Sequence, residues 1–507
     1  MKTILLFFLT ALAIPAMAGN DGANWRPKER WRGFNLPGLF IKEWSPGHFD
    51  EFDFEVMREW GFNFARLPMD YRYWIQDGDW EKIDESKFAP IDQAVKWGKR
   101  YGIHVQLSFH RAPGYTVAKP TEAKSLFNDA DALRVCCQHW AFFARRYKGI
   151  PNEEVSFNLF NEPPDIEDEE YGKVAKALIE AIRHEDPLRF IVADGLSWGT
   201  RPAMSLLGIP GVGQASRGYS PMPISHYRAS WIQNSDVPPV WPINPFRPTC
   251  FCYGPGKSPW NTPLVLKGVP PCEARIRFER VSGPVAFRVA KNGEQIQEIE
   301  LVPQTNSPAW TNAVYYPDWK IVQGTPREEF SIRLADQPGD LTFSVTKGDW
   351  VNLKSIRFVS PKDGRESVLT FDNTWGKPIN HEQRFTGWNN GDSFRIDTPS
   401  GEFQPKYADA GMEYLYRKLL VNWDKFAAQG GFYMVGEFGA FKYTPHEMVM
   451  DWLEDYLRLW KERGAGWAMW NLRGQFGILD SNRADVQYET FRGHQLDRKM
   501  LDLLRKY

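Results

Sequence analysis

The chain has 507 residues, 42% of them hydrophobic and 15% aromatic, and its 62 Lys and Arg nearly balance 63 Asp and Glu for a formal net charge of −1. That balance, with no basic run, leaves no electrostatic footprint for binding nucleic acid. Five cysteines are too few for a disulfide scaffold, and the length suits two domains or one large domain carrying an insertion.

The chain opens MKTILLFFLTALAIPAMAGN. A basic start, a short apolar run and a small-residue Ala-Met-Ala site read as an export signal over residues 1–18; the run is too short to span a bilayer. No second long apolar segment follows. A soluble mature protein, secreted or periplasmic and without a membrane partner, is expected.

From Arg32 to Tyr227 apolar runs alternate with helical patterns. Strands are expected at Gly33–Leu36, Phe62–Leu67, Ile103–Phe109, Val155–Phe160, Phe190–Ala193 and Tyr219–His226. Helices are expected at Asp50–Trp60, Ile91–Tyr101, Asp129–Tyr147 and Tyr171–His184. This alternation predicts parallel strands with crossover helices. Near Trp231 the texture changes: residues 237–273 are rich in Pro, Gly and Cys, and the helical period then disappears. Ala274, Ile276 and Phe278 alternate with charged residues, as do Val285, Phe287 and Val289, and Asn292-Gly293 reads as a hairpin turn. Residues 235–400 therefore read as an antiparallel β-sandwich. Cys250, Cys252 and Cys272 cluster there, enough for one disulfide or, with irregular spacing, a metal site. The first texture returns with helices at Tyr407–Ala428, His446–Glu462 and Tyr488–Tyr507 and strands at Phe432–Val435 and Ala465–Asn471.

Six strand–helix units before the sandwich and two after it make eight. The expected fold is α/β: a (β/α)8 TIM barrel formed by residues 19–234 and 401–507, with an antiparallel β-sandwich inserted after strand six. Active sites of such barrels form at the C-terminal strand ends. There the sequence delivers Arg66, His110, Asn161 with Glu162, His226 with Tyr227, Glu437, and Trp470 with Asn471. Glu162 closes the stretch VSFNLFNEPP, where an apolar run carries a carboxylate out of the interior and two prolines stop it. Two glutamates facing one pocket suit glycoside hydrolysis, one as nucleophile and one as acid/base, with different proton affinities. Arg66 near the nucleophile would favour its charged form. The 22 tryptophans raise the expectation of a glycan partner, since flat rings support sugar faces.

The segments WRGFNLPG, FNFARLPMDYRYW, VQLSFHRAP, SFNLFNEPP, ISHYRAS, VGEFGAF and GWAMWNLRGQFGILDSNR, in this order across the barrel, resemble glycoside hydrolase family 5, the cellulase-like retaining β-glycosidases. The resemblance implies that Glu162 is the acid/base and Glu437 the nucleophile. It also implies that Arg66, His110, Asn161, His226 and Trp470 bind sugar, and that no metal or organic cofactor is needed. The expected partner is a β-linked polysaccharide or oligosaccharide. The family usually shows His-x-Tyr at the end of strand six, the tyrosine touching the nucleophile. Here His226 is followed by Tyr227, and Arg228 stands in the tyrosine's place, so Tyr227 is the candidate substitute.

Two rival readings remain. Gly195-Leu-Ser197-Trp-Gly199 matches the nucleophile elbow of serine esterases, but Thr200-Arg-Pro202 and a Gly/Pro-rich run follow where a long helix is required. A barrel can also keep glycan binding without chemistry. The sandwich suits a carbohydrate-binding module, a lid or a dimer surface; cleft shaping is the favoured expectation, because its ends must lie beside the loop after strand six.

Overall fold

The computed structural model describes residues 24–507 except 234, 244–247, 335–336, 372–381, 386, 389–393, 398–405 and 408. The export signal expected at 1–18 lies outside the described residues. Two compact units are present, one formed by the chain up to Ile243 and from Tyr414 to Tyr507, the other by Asn244–Glu413.

The first unit is a closed barrel of eight parallel strands. They are β1 (Arg32–Asn35), β2 (Phe64–Asp70), β3 (His104–Ala112), β4 (Val155–Asn158), β5 (Ile191–Asp194), β6 (Val212–Gly218), β7 (Tyr433–Phe438) and β8 (Trp467–Met469). Each pairs in parallel with the next, and β1 pairs with β8 to close the ring. β2, β3, β4, β5 and β7 are buried throughout, as strands covered on both faces must be.

The helices α1 (Glu51–Glu59), α2 (Ala89–Tyr101), α3 (Ala130–Arg146), α4 (Asp168–Glu185), α5 (Val421–Ala428), α6 (His446–Glu462) and α7 (Arg498–Lys506) bury one apolar stripe each. Their ends follow local chemistry. The Asp129 carboxylate accepts from the backbone N–H groups of Asp131 and Ala132 to start α3, and Asp497 accepts from Met500 N–H to start α7. Gly102 ends α2 with φ 65°, a left-handed conformation that a side chain would disfavour. Inside the ring Trp31 stacks on Phe64 and His104, with centroids 4.8 and 4.3 Å apart, and packs with Phe190, Val192, Ala215, Met434 and Ala468. Burying each large apolar side chain of this kind contributes about 1.5–3 kcal/mol.

Two elements differ from the sequence reading. The sixth strand is Val212–Gly218, not Tyr219–His226; the latter stretch contains only a helical turn at Met222–Ser225. The closing helix is Arg498–Lys506, because Glu489–Phe491 and His494–Leu496 first form a hairpin around Arg492-Gly493, both at positive φ.

The second unit is a β-sandwich. One sheet orders the strands Phe251–Tyr253, Trp350–Val359, Cys272–Ser282, Ile321–Pro326 and Trp310–Tyr316, with Phe330–Leu334 and Glu366–Thr370 at its sides. The other orders Glu294–Leu301, Val285–Lys291, Gly339–Lys347, Leu264–Val269, Glu382–Phe385 and Phe394–Asp397. Asn292 and Gly293 make the expected hairpin turn at φ 49° and 87°. The alternating residues Ala274, Ile276, Phe278, Phe287 and Val289 meet in its core, where Cys250, Cys252 and Cys272 are also buried. Among the described residues no helix is long and apolar enough to cross a membrane.

Candidate active site

The C-terminal ends of the strands converge on one polar cluster. Asn35 ends β1 opposite Arg66 of β2. The Arg66 side chain is fully buried, and each of its three nitrogens donates a hydrogen bond. Nε donates to Asn158 Oδ1 at 3.0 Å, and Nη2 donates to Asn161 Oδ1 at 2.9 Å. Nη1 donates to Asn35 Oδ1 at 2.9 Å and to Glu437 Oε1 at 2.5 Å. Asn35 is itself anchored, donating to the backbone carbonyls of Gly436 (2.9 Å) and Ala468 (3.2 Å).

Glu162 lies four residues beyond the end of β4 at φ +50°, a left-handed conformation that costs a residue with a side chain about 1–3 kcal/mol. Two contacts hold this turn: the Tyr115 hydroxyl donates to the Glu162 carbonyl at 2.6 Å, and Glu162 N–H donates to Asp194 Oδ2 at 2.9 Å. Pro163 and Pro164 follow, and their carbonyls accept from Trp198 and Ser197 N–H. The carboxylate points back at β6, where Arg217 Nε donates to its Oε1 at 3.0 Å. Arg217 Nη2 donates to Asn161 Oδ1 at 2.9 Å and to Asp194 Oδ2, and sits 3.5 Å from Glu437 Oε1. One guanidinium thus touches both glutamates. Glu162 keeps 16% of its side-chain surface open and Glu437 5%, so both are accessible yet largely desolvated.

These surroundings shift proton affinities. Burial, then the neighbouring Glu437 charge, pushes Glu162 up to about 7, against the pull of Arg217. Burial works against charge on Arg217, but Asp194, Glu437 and Glu162 outweigh it and hold the guanidinium charged. Burial and then the Arg66, Arg217 and Arg111 charges push His110 well below the ordinary histidine range. Burial and the Glu437 charge raise the Tyr219 phenol, so its hydroxyl keeps its proton and donates to Glu437 Oε2 at 3.2 Å.

The structure therefore brings together Glu162, Glu437, Arg66 and Asn161. His110 joins them at the rim: its ring lies 4.3 Å from Phe40 and 5.8 Å from Trp470, with Nδ1 unpartnered among the described residues. Asn161 Nδ2 is likewise buried without a described partner. His226 stands one layer back, its ring 5.1 Å from Tyr219 and its Nδ1 2.8 Å from Ser225 Oγ. Tyr227 is not brought in. It packs under Arg228, whose guanidinium lies 5.0 Å from its ring centre.

The tyrosine facing Glu437 is instead Tyr219, and Arg217-Gly218-Tyr219 stands where His-x-Tyr was sought nine residues later, at 226–228. Arg217 and Asp194 are the residues that the sequence reading missed. Their signal was present but weak: an arginine two residues ahead of a tyrosine, at the end of a strand whose polar residues Gln214 and Ser216 disguise it. Ser197 does not form an elbow. Its hydroxyl donates to Asp165 Oδ1 at 2.5 Å, and Ser197 and Trp198 sit at φ 51° and 56° in a four-residue turn rather than at the start of a long helix.

The fold is a (β/α)8 barrel that presents one glutamate after strand four and another on strand seven, and a pair of carboxylates is what glycoside hydrolysis uses. Residues 20–221 match the model of the cellulase family, glycosyl hydrolase family 5. Endoglucanase C of Acetivibrio thermocellus is 28% identical over 212 residues, covering 40% of this chain and 61% of that protein. Cellodextrinase A of Ruminococcus flavefaciens is 24% identical over 212 residues, 39% of this chain and 61% of the relative. The matches to these relatives thus span less than two thirds of their length. Among solved structures, one described as a glycoside hydrolase superposes with a TM-score of 0.58 at 24% identity, covering 94% of this chain and 99% of the other. Cel5A of Thermotoga maritima, solved with a mannotriose substrate, gives 0.50 at 14% identity over 94% of this chain and 97% of its own; both show a shared fold. Over residues 20–221, about two-fifths of the chain, this protein is therefore similar to glycosyl hydrolase family 5.

Proposed function

We propose that this protein is a secreted or periplasmic β-glycosidase that cleaves β-linked, glucan-like polysaccharides or oligosaccharides with retention of configuration. The observation that carries this reading is the contact of one buried guanidinium, Arg217, with two glutamates from different ends of the barrel. Glu437 Oε1 is taken by Arg66, leaving Oε2, held by the Tyr219 hydroxyl, as the oxygen that attacks the anomeric carbon. Glu162, raised to about 7, gives its proton to the departing glycosidic oxygen. The glycosyl–Glu437 ester is then hydrolysed: Glu162 takes a proton from the incoming water, the water oxygen bonds to the anomeric carbon, and the ester bond breaks. Asn161 Nδ2 and His110 Nδ1 are buried polar atoms without described partners, a condition costing about 1–3 kcal/mol each that sugar hydroxyls would relieve. Trp470, beside His110 and Phe40, offers a ring for a sugar face. The relatives named endoglucanase support a glucan over other β-linked chains.

The test is a panel of β-glucans and aryl β-glycosides, with product anomers followed by NMR. Turnover with retained configuration, abolished in Glu162→Gln and Glu437→Gln, is expected. Binding without turnover would leave a glycan-binding barrel, and inverted product would refute the nucleophile assignment.

A further inference from the structure

Among the described residues the two glutamates share an ionic cluster of three carboxylates, Glu162, Asp194 and Glu437, and two guanidiniums, Arg66 and Arg217. We propose that Arg217 is a positioning residue that, paired with Asp194, fixes the number and place of protons in the cleft, leaving a single proton on Glu162 Oε2. The proposal rests on reading Glu162 and Glu437 as the reacting pair. Family 5 resemblance leads to a histidine two residues before the nucleophile-facing tyrosine, yet an arginine stands there. A neutral imidazole at this position would leave three carboxylates facing one cation. Arginine restores the balance to within one charge, which one proton cancels.

Geometry selects where that proton resides. Glu162 Oε1 accepts from Arg217 Nε, a donor that never deprotonates, so the free Oε2 is the oxygen able to carry hydrogen. Asp194 is fully engaged: Oδ1 accepts from Asn158 Nδ2 at 2.9 Å, and Oδ2 accepts from Glu162 N–H and from Arg217. It therefore anchors Arg217 and the Glu162 backbone. The neighbouring chain is shaped around this guanidinium. A Cβ on Gly436 would lie 2.7 Å from Arg217 Nη1, and one on Gly199, at φ +77°, would lie 2.7 Å from Arg217 Cγ. Both distances are closer than real Cβ contacts, so both glycines are what give Arg217 its room.

The other titratable groups facing the cluster do not supply the missing charge. Arg66 lies 4.0 Å from Asp194 and is committed to Glu437. His110 is held neutral by burial and by the guanidiniums, and burial also lowers His226 to about 4. The hydroxyls of Tyr115 and Tyr171 donate to the main-chain carbonyls of Glu162 and Asp194, and that of Tyr219 to Glu437.

The experiment follows the Glu162 carboxyl carbon by NMR against pH in protein carrying glutamate labelled with 13C at Cδ, the signal being identified by its loss in Glu162→Gln. Arg217→Met is expected to raise the titration midpoint by at least about one pH unit, and Asp194→Asn to lower it, since one removes a cation and the other an anion beside the same carboxyl. Arg217→Lys, which keeps the charge, should return the midpoint toward that of the parent, while turnover stays depressed because the fork is lost. Midpoints that move in the same direction, or stay still in variants whose circular dichroism is native, would overturn the proposal. Turnover is a separate readout. A parent protein that titrates as expected but hydrolyses no β-glycoside would sink the glycosidase reading and leave the charge assignment standing.

Discussion

The interior of the mouth predicts a graded response at Arg66. Of its four acceptors, Asn158 Oδ1 retains the Ser108 hydroxyl at 2.8 Å, and Asn161 Oδ1 retains Arg217 at 2.9 Å, when Arg66 is shortened. Asn35 Oδ1 has no other bonded donor among the described residues, and Glu437 Oε1 is left with Arg217 at 3.5 Å. Arg66→Lys preserves the charge and can follow Glu437, so one buried acceptor, Asn35 Oδ1, is orphaned at a cost of about 1–3 kcal/mol. Arg66→Met breaks a buried ion pair and should cost about 3–5 kcal/mol. Urea unfolding followed by tryptophan fluorescence reads this unit well, because Trp74, Trp140, Trp423, Trp452, Trp460 and Trp467 are fully buried within it. Equal losses in the two variants, or a loss below about 1 kcal/mol in Arg66→Met, would refute the view that a satisfied guanidinium fork organises the mouth.

Four further outcomes are expected. Since Glu162 must be protonated to act as an acid and is held at about 7, kcat/KM on an aryl β-glycoside should fall as pH rises through about 7; a profile level to pH 9 would contradict this. Tyr219→Phe removes a hydrogen bond to the Glu437 carboxylate and should lower kcat by roughly 10- to 100-fold, whereas Tyr227→Phe should change it less than about threefold; the reverse ranking would return the sixth strand to the later segment. Ser197→Ala should leave turnover near the parent value, and its loss would revive an esterase nucleophile. Gly436→Ala pushes a methyl against Arg217 Nη1, so it should reduce kcat at least tenfold while the protein remains folded by circular dichroism, and an unaffected rate would mean that Arg217 can move freely.

The sequence by itself determined the barrel and its two glutamates. Its strands are apolar runs spaced by amphipathic helices, and that periodicity follows from covering each strand on both faces. Glu162 was legible because an apolar strand that ends in Asn-Glu-Pro-Pro leaves a carboxylate at the strand's exit, and Arg66, Asn161 and Glu437 were legible in the same way. The sixth strand was not. Val212–Gly218 buries the polar residues Gln214, Ser216 and Arg217 along with its one alanine, so it lacks the apolar signal, and the more aromatic segment after it drew the assignment. Only the closed ring decided that Tyr219, and not Tyr227, meets Glu437. Only the ring brings Asp194, Arg217 and Glu162 from three strands into one ionic cluster. Charge balance in a desolvated cleft is a property of what surrounds each group in space, and no local pattern along the chain encodes it.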